Sequence, residues 1–144
     1  MPDLVHVVCP SCHTANRVPA ARLGEAPNCG KCRQKLFQGH PLVLTAATFR
    51  RHVEGSGLPV LVEFWAPWCG YCRSMAPTFE QAAGRLEPRV RLAKVNTEEE
   101  KTLAAQHRVE GLPTLILFQG GREVARQSGA VPLPNLLAWV HSHL

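Results

Sequence analysis

The chain has 144 residues, 45% of them hydrophobic, with sixteen Lys/Arg against eleven Asp/Glu and a formal charge of +5 at pH 7. Such a composition is globular, in a length that holds one ordinary domain or a domain with a small appendage. The charge is mixed in sign along the chain and makes no electrostatic case for nucleic-acid binding.

No run approaches the length of a membrane span. The first residues, Met1-Pro2-Asp3-Leu4-Val5, lack the basic and apolar segments of a secretory signal. Six cysteines in that setting are expected in the reducing cytoplasm, where thiols serve metals or catalysis rather than structural bridges.

Residues 1–40 carry Cys9-Pro10-Ser11-Cys12 and Cys29-Gly30-Lys31-Cys32, with sixteen residues between the pairs. This spacing is that of a four-cysteine zinc site, in which each Cys-X-X-Cys turn points two thiolates at one ion. Few large apolar residues surround it, so the unit is expected to be a zinc ribbon that folds around one structural Zn2+. Gly30 is expected to permit the tight second turn, and His6 and His13 to be ordinary surface residues. Two disulfides are the alternative, which the compartment argument disfavours.

Gly39 and Pro41 mark a junction, dividing the chain into a ribbon at 1–40 and a second domain at 41–144. Leu42–Leu44 is a short predicted strand, followed by a helix capped by Thr45 and running to about Val53. Val60–Trp65 is apolar at nearly every position, as in a strand covered on both faces. A helix follows from Cys69 to Leu86, with Pro77 expected to kink it. Val90–Val95 is the next strand, and Thr97-Glu98-Glu99-Glu100 forms a capping box for a helix ending near His107. Thr114–Phe118 and Glu123–Gln127 flank Gly120-Gly121 as a hairpin. A last helix has Pro134 in its first turn and Leu136, Leu137 and Val140 as its buried stripe. The order β-α-β-α-β-α-β-β-α predicts an α/β fold with a central mixed sheet flanked by helices.

The chemistry concentrates in Trp65-Ala66-Pro67-Trp68-Cys69-Gly70-Tyr71-Cys72. Two cysteines two residues apart at a helix start suit dithiol chemistry, because the helix N-terminus favours a thiolate on the first. With Pro77, Lys94, Gly111-Leu112-Pro113-Thr114 and Gly129-Ala130 in the same order, residues 41–144 resemble the thioredoxin family along their whole length. The four-cysteine head resembles that of the zinc-binding bacterial branch, the thioredoxin 2 type.

The resemblance implies a thioredoxin fold and a protein-disulfide reductase without a bound organic cofactor. Cys69 then matches the attacking cysteine and Cys72 the resolving one. Pro113 matches a cis-proline that exposes the backbone of Leu112 to an added substrate strand. Trp68, Gly70, Tyr71, Gly111, Leu112, Pro113, Gly129 and Ala130 match the surface on which substrate proteins dock. The resemblance further implies re-reduction by an NADPH-dependent thioredoxin reductase, and a monomer.

Two residues depart from the family pattern. Tyr71 stands where proline is usual and restores an N–H that should favour the Cys69 thiolate, implying a less negative potential. Glu63 stands where the family has a buried aspartate that serves as acid and base for the resolving cysteine, paired with Lys94. Burial should raise its pKa and Lys94 should lower it; a purely structural Glu63–Lys94 ion pair is the plainer alternative. Other functions compatible with the sequence are an oxidant or isomerase favoured by Tyr71, and a ribbon that binds nucleic acid or a partner or senses oxidants. Phe37 is the only aromatic residue in the first forty, so no stacking platform for nucleic acid accompanies the ribbon's basic residues.

Overall fold

The computed structural model describes residues 3–144. In chain order the elements are β1 (Leu4–Val8), β2 (Ala15–Pro19), a 3-10 helix (Ala20–Glu25), β3 (Leu42–Val43), α1 (Phe49–Val53) and β4 (Val60–Trp65). There follow α2 (Gly70–Leu86), β5 (Arg91–Asn96), α3 (Lys101–Gln106), β6 (Thr114–Gln119), β7 (Arg122–Ser128) and α4 (Leu133–His141). β1 and β2 pair antiparallel, and the other five strands form one sheet in the order β3-β5-β4-β6-β7. The β3, β4 and β5 strands run parallel, while β6 and β7 run antiparallel to their neighbours.

The expected mixed sheet between helices is therefore present, and β4 is its hydrogen-bonded centre. Alternation along β4 sends Val60, Val62 and Phe64 into one core with Phe49, Val53 and Leu103 of α1 and α3. Leu61 enters the opposite core with Met75, Phe79, Leu86, Leu136 and Val140 of α2 and α4. Glu63 shares the face of Leu61, so the strand pattern directs its carboxyl toward α2. The α2 helix is continuous across Pro77.

Local signals failed where a capping side chain had a tertiary use. The third helix starts at Lys101 with Glu100 as N-cap, not at a box begun by Thr97. Thr97 Oγ1 donates instead to the Trp65 carbonyl at 3.1 Å, and Glu100 Oε1 accepts the Ala46 N–H at 2.6 Å. In the first helix Thr48, not Thr45, holds the N-cap position, without a side-chain cap bond, while Thr45 contributes its carbonyl to the Phe49 N–H. In α4, Leu136 and Val140 are buried, but Leu137 is only half-buried.

The two-stranded sheet sits against the end of the main sheet where β4 and β5 begin. The Gly57 N–H donates to the His6 carbonyl at 2.8 Å, and Leu58 joins the apolar cluster of Val7, Val18 and Leu36. His13, expected on the open surface, is half-buried against His52, with Nδ1 and Nε2 at 2.9 Å. Burial pushes the His52 pKa down to about 4, so that ring is neutral at pH 7.

A Cβ on Gly57 would lie 3.0 Å from the His6 nitrogen and 3.1 Å from Val5 Cγ1, so a side chain there opposes this docking. Gly84, by contrast, has open space on α2. Gly57→Ala is expected to cost about 1–3 kcal/mol in urea denaturation, and Gly84→Ala to add about 0.5–1 kcal/mol of helix stability. Equal effects of the two substitutions would contradict this packing.

Candidate active site and metal centre

The end of β4 delivers Trp65 and Ala66 into a turn, and Cys69 becomes the N-cap of α2. A helix start has amides without intrahelical acceptors, and one of them, the Cys72 N–H, donates to Cys69 Sγ at 3.2 Å. Among the described residues it is the one backbone amide hydrogen-bonded to that sulfur. The sequence argument gave this place to Tyr71, whose amide is not the donor observed.

Both cysteines are free thiols and buried, Cys69 at the 5% level and Cys72 at 3%. They cluster with Ala66, and Trp65 and Leu112 pack against them. Burial, and then the hydrogen bond with Cys69, push the Cys72 thiol up to about 12. The Leu112-Pro113 peptide is cis, and the Gly129 N–H donates to the Pro113 carbonyl at 2.8 Å. Leu112 thus packs against the dithiol, Gly129 is tied to Pro113, and Gly111 and Ala130 are exposed.

Trp68 and Tyr71, on either side of Cys69 and Gly70, are 65% and 72% exposed, an apolar surface around a recessed sulfur. Two residues missed by the sequence reading steady this surface. The Trp68 indole N–H donates to Glu98 Oε1 at 2.5 Å, and Arg73 Nη1 donates to the Pro67 carbonyl at 2.8 Å. Glu98 lies thirty residues away in the chain, in a stretch whose pattern suggested only helix capping.

Beneath Cys72, Glu63 pairs in register with Lys94 across β4 and β5. The side chain is 1% exposed and its Oε2 has no hydrogen-bond partner among the described residues. Lys94 Nζ is 4.0 Å from Oε1, beyond a hydrogen bond, and lies over the Trp65 ring at 4.7 Å from its centroid. Burial raises the Glu63 pKa to about 7 against the opposing pull of Lys94. The two groups thus form an ion pair without a hydrogen bond.

In the ribbon, the four sulfurs of Cys9, Cys12, Cys29 and Cys32 lie within 4.8 Å of one another. Cys9–Cys32 and Cys12–Cys29 are each separated by 3.6 Å. A tetrahedral Zn–S bond of about 2.3 Å gives sulfurs about 3.8 Å apart, so the donor set and its size fit zinc. The two turns repeat one pattern: His13 and Arg33 donate to the Cys9 and Cys29 carbonyls, and Cys9 and Cys29 donate to those of Thr14 and Gln34. His13 and Arg33 each take positive φ, at 64° and 70°. Gly30 does not, and a Cβ there would only touch Asn16 Oδ1 at 3.7 Å, so the tight turn does not depend on it.

The match to known proteins agrees with this geometry. Residues 40–142 match the family model described as Thioredoxin, and residues 8–34 match the one described as Thioredoxin 2, N-terminal. The chain belongs to the thioredoxin family. It is 43% identical to Thioredoxin C-3 of Corynebacterium nephridii over 138 residues, 96% of this chain and 94% of that one. It is 43% identical to Thioredoxin 1 of Nostoc sp. over 101 residues, 70% of this chain and 94% of that one. It is 33% identical to the chloroplastic M-type thioredoxin of Chlamydomonas reinhardtii over 130 residues, 88% and 93% of the two chains. The chain is accordingly a thiol–disulfide oxidoreductase acting as a protein-disulfide reductase. Neither the oxidant or isomerase reading nor the binding-module or sensor reading is favoured. No helix among the described residues is long and apolar enough to cross a membrane.

Two outcomes follow from the buried carboxyl and the metal site. Because the folded pKa of Glu63 lies above its ordinary 4.5, the native state keeps a proton that the unfolded chain releases as pH rises from about 4.5 to 7. Stability is then fully present below that window and falls across it, by up to about 3 kcal/mol. Glu63→Gln should match the wild type near pH 4 and exceed it at pH 8; parallel pH profiles in denaturant melts would refute this. In the ribbon, Asn16 accepts the Gly30 N–H at 2.9 Å and offers Nδ2 to Cys29 Sγ at 3.5 Å and to the Thr14 carbonyl at 3.1 Å. Asn16→Ala is expected to weaken zinc binding by about 10–100-fold in chelator competition, the usual cost of losing a partner of a metal ligand.

Proposed function

We propose that residues 41–144 are the catalytic domain, in which Cys69 attacks a protein disulfide and Cys72 resolves the product. The observation that carries this is Cys69 Sγ at the start of α2, hydrogen-bonded by the Cys72 amide and packed with Leu112, whose peptide bond to Pro113 is cis. The Cys69 thiolate bonds to one substrate sulfur, the substrate S–S bond breaks, and its second sulfur leaves as a thiolate. Cys72, high in pKa, must lose its proton before it can act. Glu63 is the acceptor, since its carboxyl lies on the same face, is unpaired at Oε2 and titrates near the working pH. The Cys72 thiolate then bonds to Cys69, and the first substrate sulfur departs and takes up a proton. Two electrons and the Cys72 proton have passed to the substrate, whose other sulfur takes its proton from water, and the protein holds the Cys69–Cys72 disulfide.

Trp68, Gly70, Tyr71, Gly111, Leu112, Gly129 and Ala130 form the docking rim. Exposed aromatic area at Trp68 and Tyr71, with backbone groups of Leu112 open to an added strand, supports an extended substrate segment laid across Cys69. Residues 1–40 form a ribbon holding one structural Zn2+ through Cys9, Cys12, Cys29 and Cys32, and when bound the ion supplies folding free energy rather than chemistry. The working form is a cytoplasmic monomer, recharged by an NADPH-dependent thioredoxin reductase, with no role for nucleic acid.

The first experiment is the redox equilibrium of Cys69–Cys72 against a glutathione buffer, read by tryptophan fluorescence. A potential well below that of the cytosolic glutathione couple is expected; one near or above it would make the protein an oxidant or isomerase. In single-turnover assays, Glu63→Gln should slow resolution of the mixed disulfide and flatten its pH dependence around 7. An unchanged profile would remove Glu63 from proton transfer.

A further inference from the structure

The backbone of Leu112 and Pro113 belongs to an irregular segment, residues 107–113, between the end of α3 and the start of β6. Such a segment has no ladder of its own, so its position depends on what grips its two ends. β7 lies beside β6 from Gln119–Arg122 to Thr114–Ser128, and both grips come from its side of the sheet. At the far end, Gly129, the residue after β7, donates its N–H to the Pro113 carbonyl at 2.8 Å. At the near end the grip is a side chain, Arg126.

α3 stops in a left-handed turn. The Arg108 N–H donates to the Ala105 carbonyl and the Val109 N–H to the Ala104 carbonyl, with Arg108 at φ 53°. This closure leaves the His107 and Arg108 carbonyls beyond the helix's own hydrogen bonds. Arg126 meets both: Nη2 donates to the His107 carbonyl at 2.7 Å and Nη1 to the Arg108 carbonyl at 3.1 Å. Glu123 holds the guanidinium in turn, its Oε2 accepting from Nε and its Oε1 from Nη2, each at 2.8 Å. A forked carboxylate contact fixes the plane of a guanidinium, which a single-point contact does not. Arg108 is also a non-glycine residue at positive φ, held against its own preference, and it is this residue whose carbonyl the guanidinium binds.

Between the two grips, Val109 and Leu112 pack against the core beneath α1 and α3, and Leu112 also packs against Cys69 and Cys72. A shift at the near end is therefore passed to the docking backbone. The Arg126 and Glu123 side chains are 31% and 37% exposed, so the pair acts through its hydrogen bonds rather than by filling a core. We propose that Arg126 is a positioning residue for substrate docking: with Glu123 it sets where α3 ends, and thereby where the Leu112 backbone meets a substrate strand. This inference rests on the reading of Leu112 as the docking backbone.

The experiment mixes the pre-reduced full chain with one of two disulfides and follows its oxidation by tryptophan fluorescence. Insulin presents its disulfides on a polypeptide; hydroxyethyl disulfide has no backbone to dock. Arg126→Met is expected to lower the second-order rate with insulin about five-fold, with hydroxyethyl disulfide and the glutathione redox equilibrium held within about two-fold of wild type. Arg126→Lys keeps the charge without the fork and should recover less than half of the loss. Arg122→Met, which removes the same charge from the same strand, should leave both rates unchanged. An unchanged insulin rate in Arg126→Met, an equal loss on both disulfides, full recovery with lysine, or the same loss in Arg122→Met would each overturn the proposal. If the wild type itself reacts no faster with insulin than with hydroxyethyl disulfide, the docking reading falls and this inference with it. If the wild type prefers insulin and Arg126→Met keeps that preference, only the inference falls. Should Arg126→Met not fold, Glu123→Gln takes its place: a smaller loss confined to insulin is expected, and wild-type rates overturn the proposal.

Discussion

β4 is hydrogen-bonded along both edges and buried on both faces, and from that constraint the redox site follows. A strand so placed cannot wander at its end, so Trp65 and Ala66 emerge at a fixed point, and the next residues must turn at once into α2. Cys69 therefore falls at the helix cap, where an amide without an intrahelical acceptor is available to its sulfur. The antiparallel neighbour β6 begins at the same end of the sheet, which brings the Leu112-Pro113 backbone alongside. The backbone thus supplies the amide that meets the Cys69 sulfur and sets Leu112 beside it.

The same burial creates the tension at Glu63. A carboxyl inside the central strand is costly when ionised, and a full hydrogen-bonded ion pair would relieve that cost. Here Lys94 stands off at 4.0 Å and spreads its charge over the Trp65 ring, leaving the carboxyl poised rather than neutralised. Cys72 lies in the same enclosed region with a thiol driven upward by burial. Two groups that each resist ionisation therefore share one enclosed region, and the proposed proton transfer rests on that arrangement.

The ribbon and the dithiol occupy opposite ends of the sheet. β4 and β5 start under the ribbon at Val60 and Arg91 and finish at Trp65 and Asn96 beside the cysteines, a separation of roughly 15–20 Å along six residues. The ribbon is thus remote from Cys69 and Cys72, and it meets the rest of the chain through Arg91 and Glu87 inside, Gly57 against the His6 backbone, and His13 against His52. The ribbon's cysteines, unlike Cys69, are organised to hold an ion, through two turns of the same hydrogen-bond pattern.

Most of this was legible in the order of residues. Cys-X-X-Cys spacing is dictated by short turns, the apolar run of β4 by burial on both faces, and the α/β order by local periodicity, so all three appear without a fold in hand. The cis Leu112-Pro113 bond was legible through the family resemblance, and the clustering of the four ribbon cysteines through their spacing. What the sequence concealed was the destination of polar side chains over long separations. Thr97 and Glu100 look like a capping box but are drawn to Trp65 and Ala46. Glu98 looks like helix surface but anchors Trp68. Arg91 looks like an ordinary strand-end cation but lies buried between sheet and ribbon. Hydrogen-bond partners eighty residues apart leave no periodicity and no spacing in the chain, because only packing brings them together. The sequence by itself determined the order of elements in the main sheet and the spacing of the three Cys-X-X-Cys pairs; the tertiary structure decided which charges are buried, and what answers them.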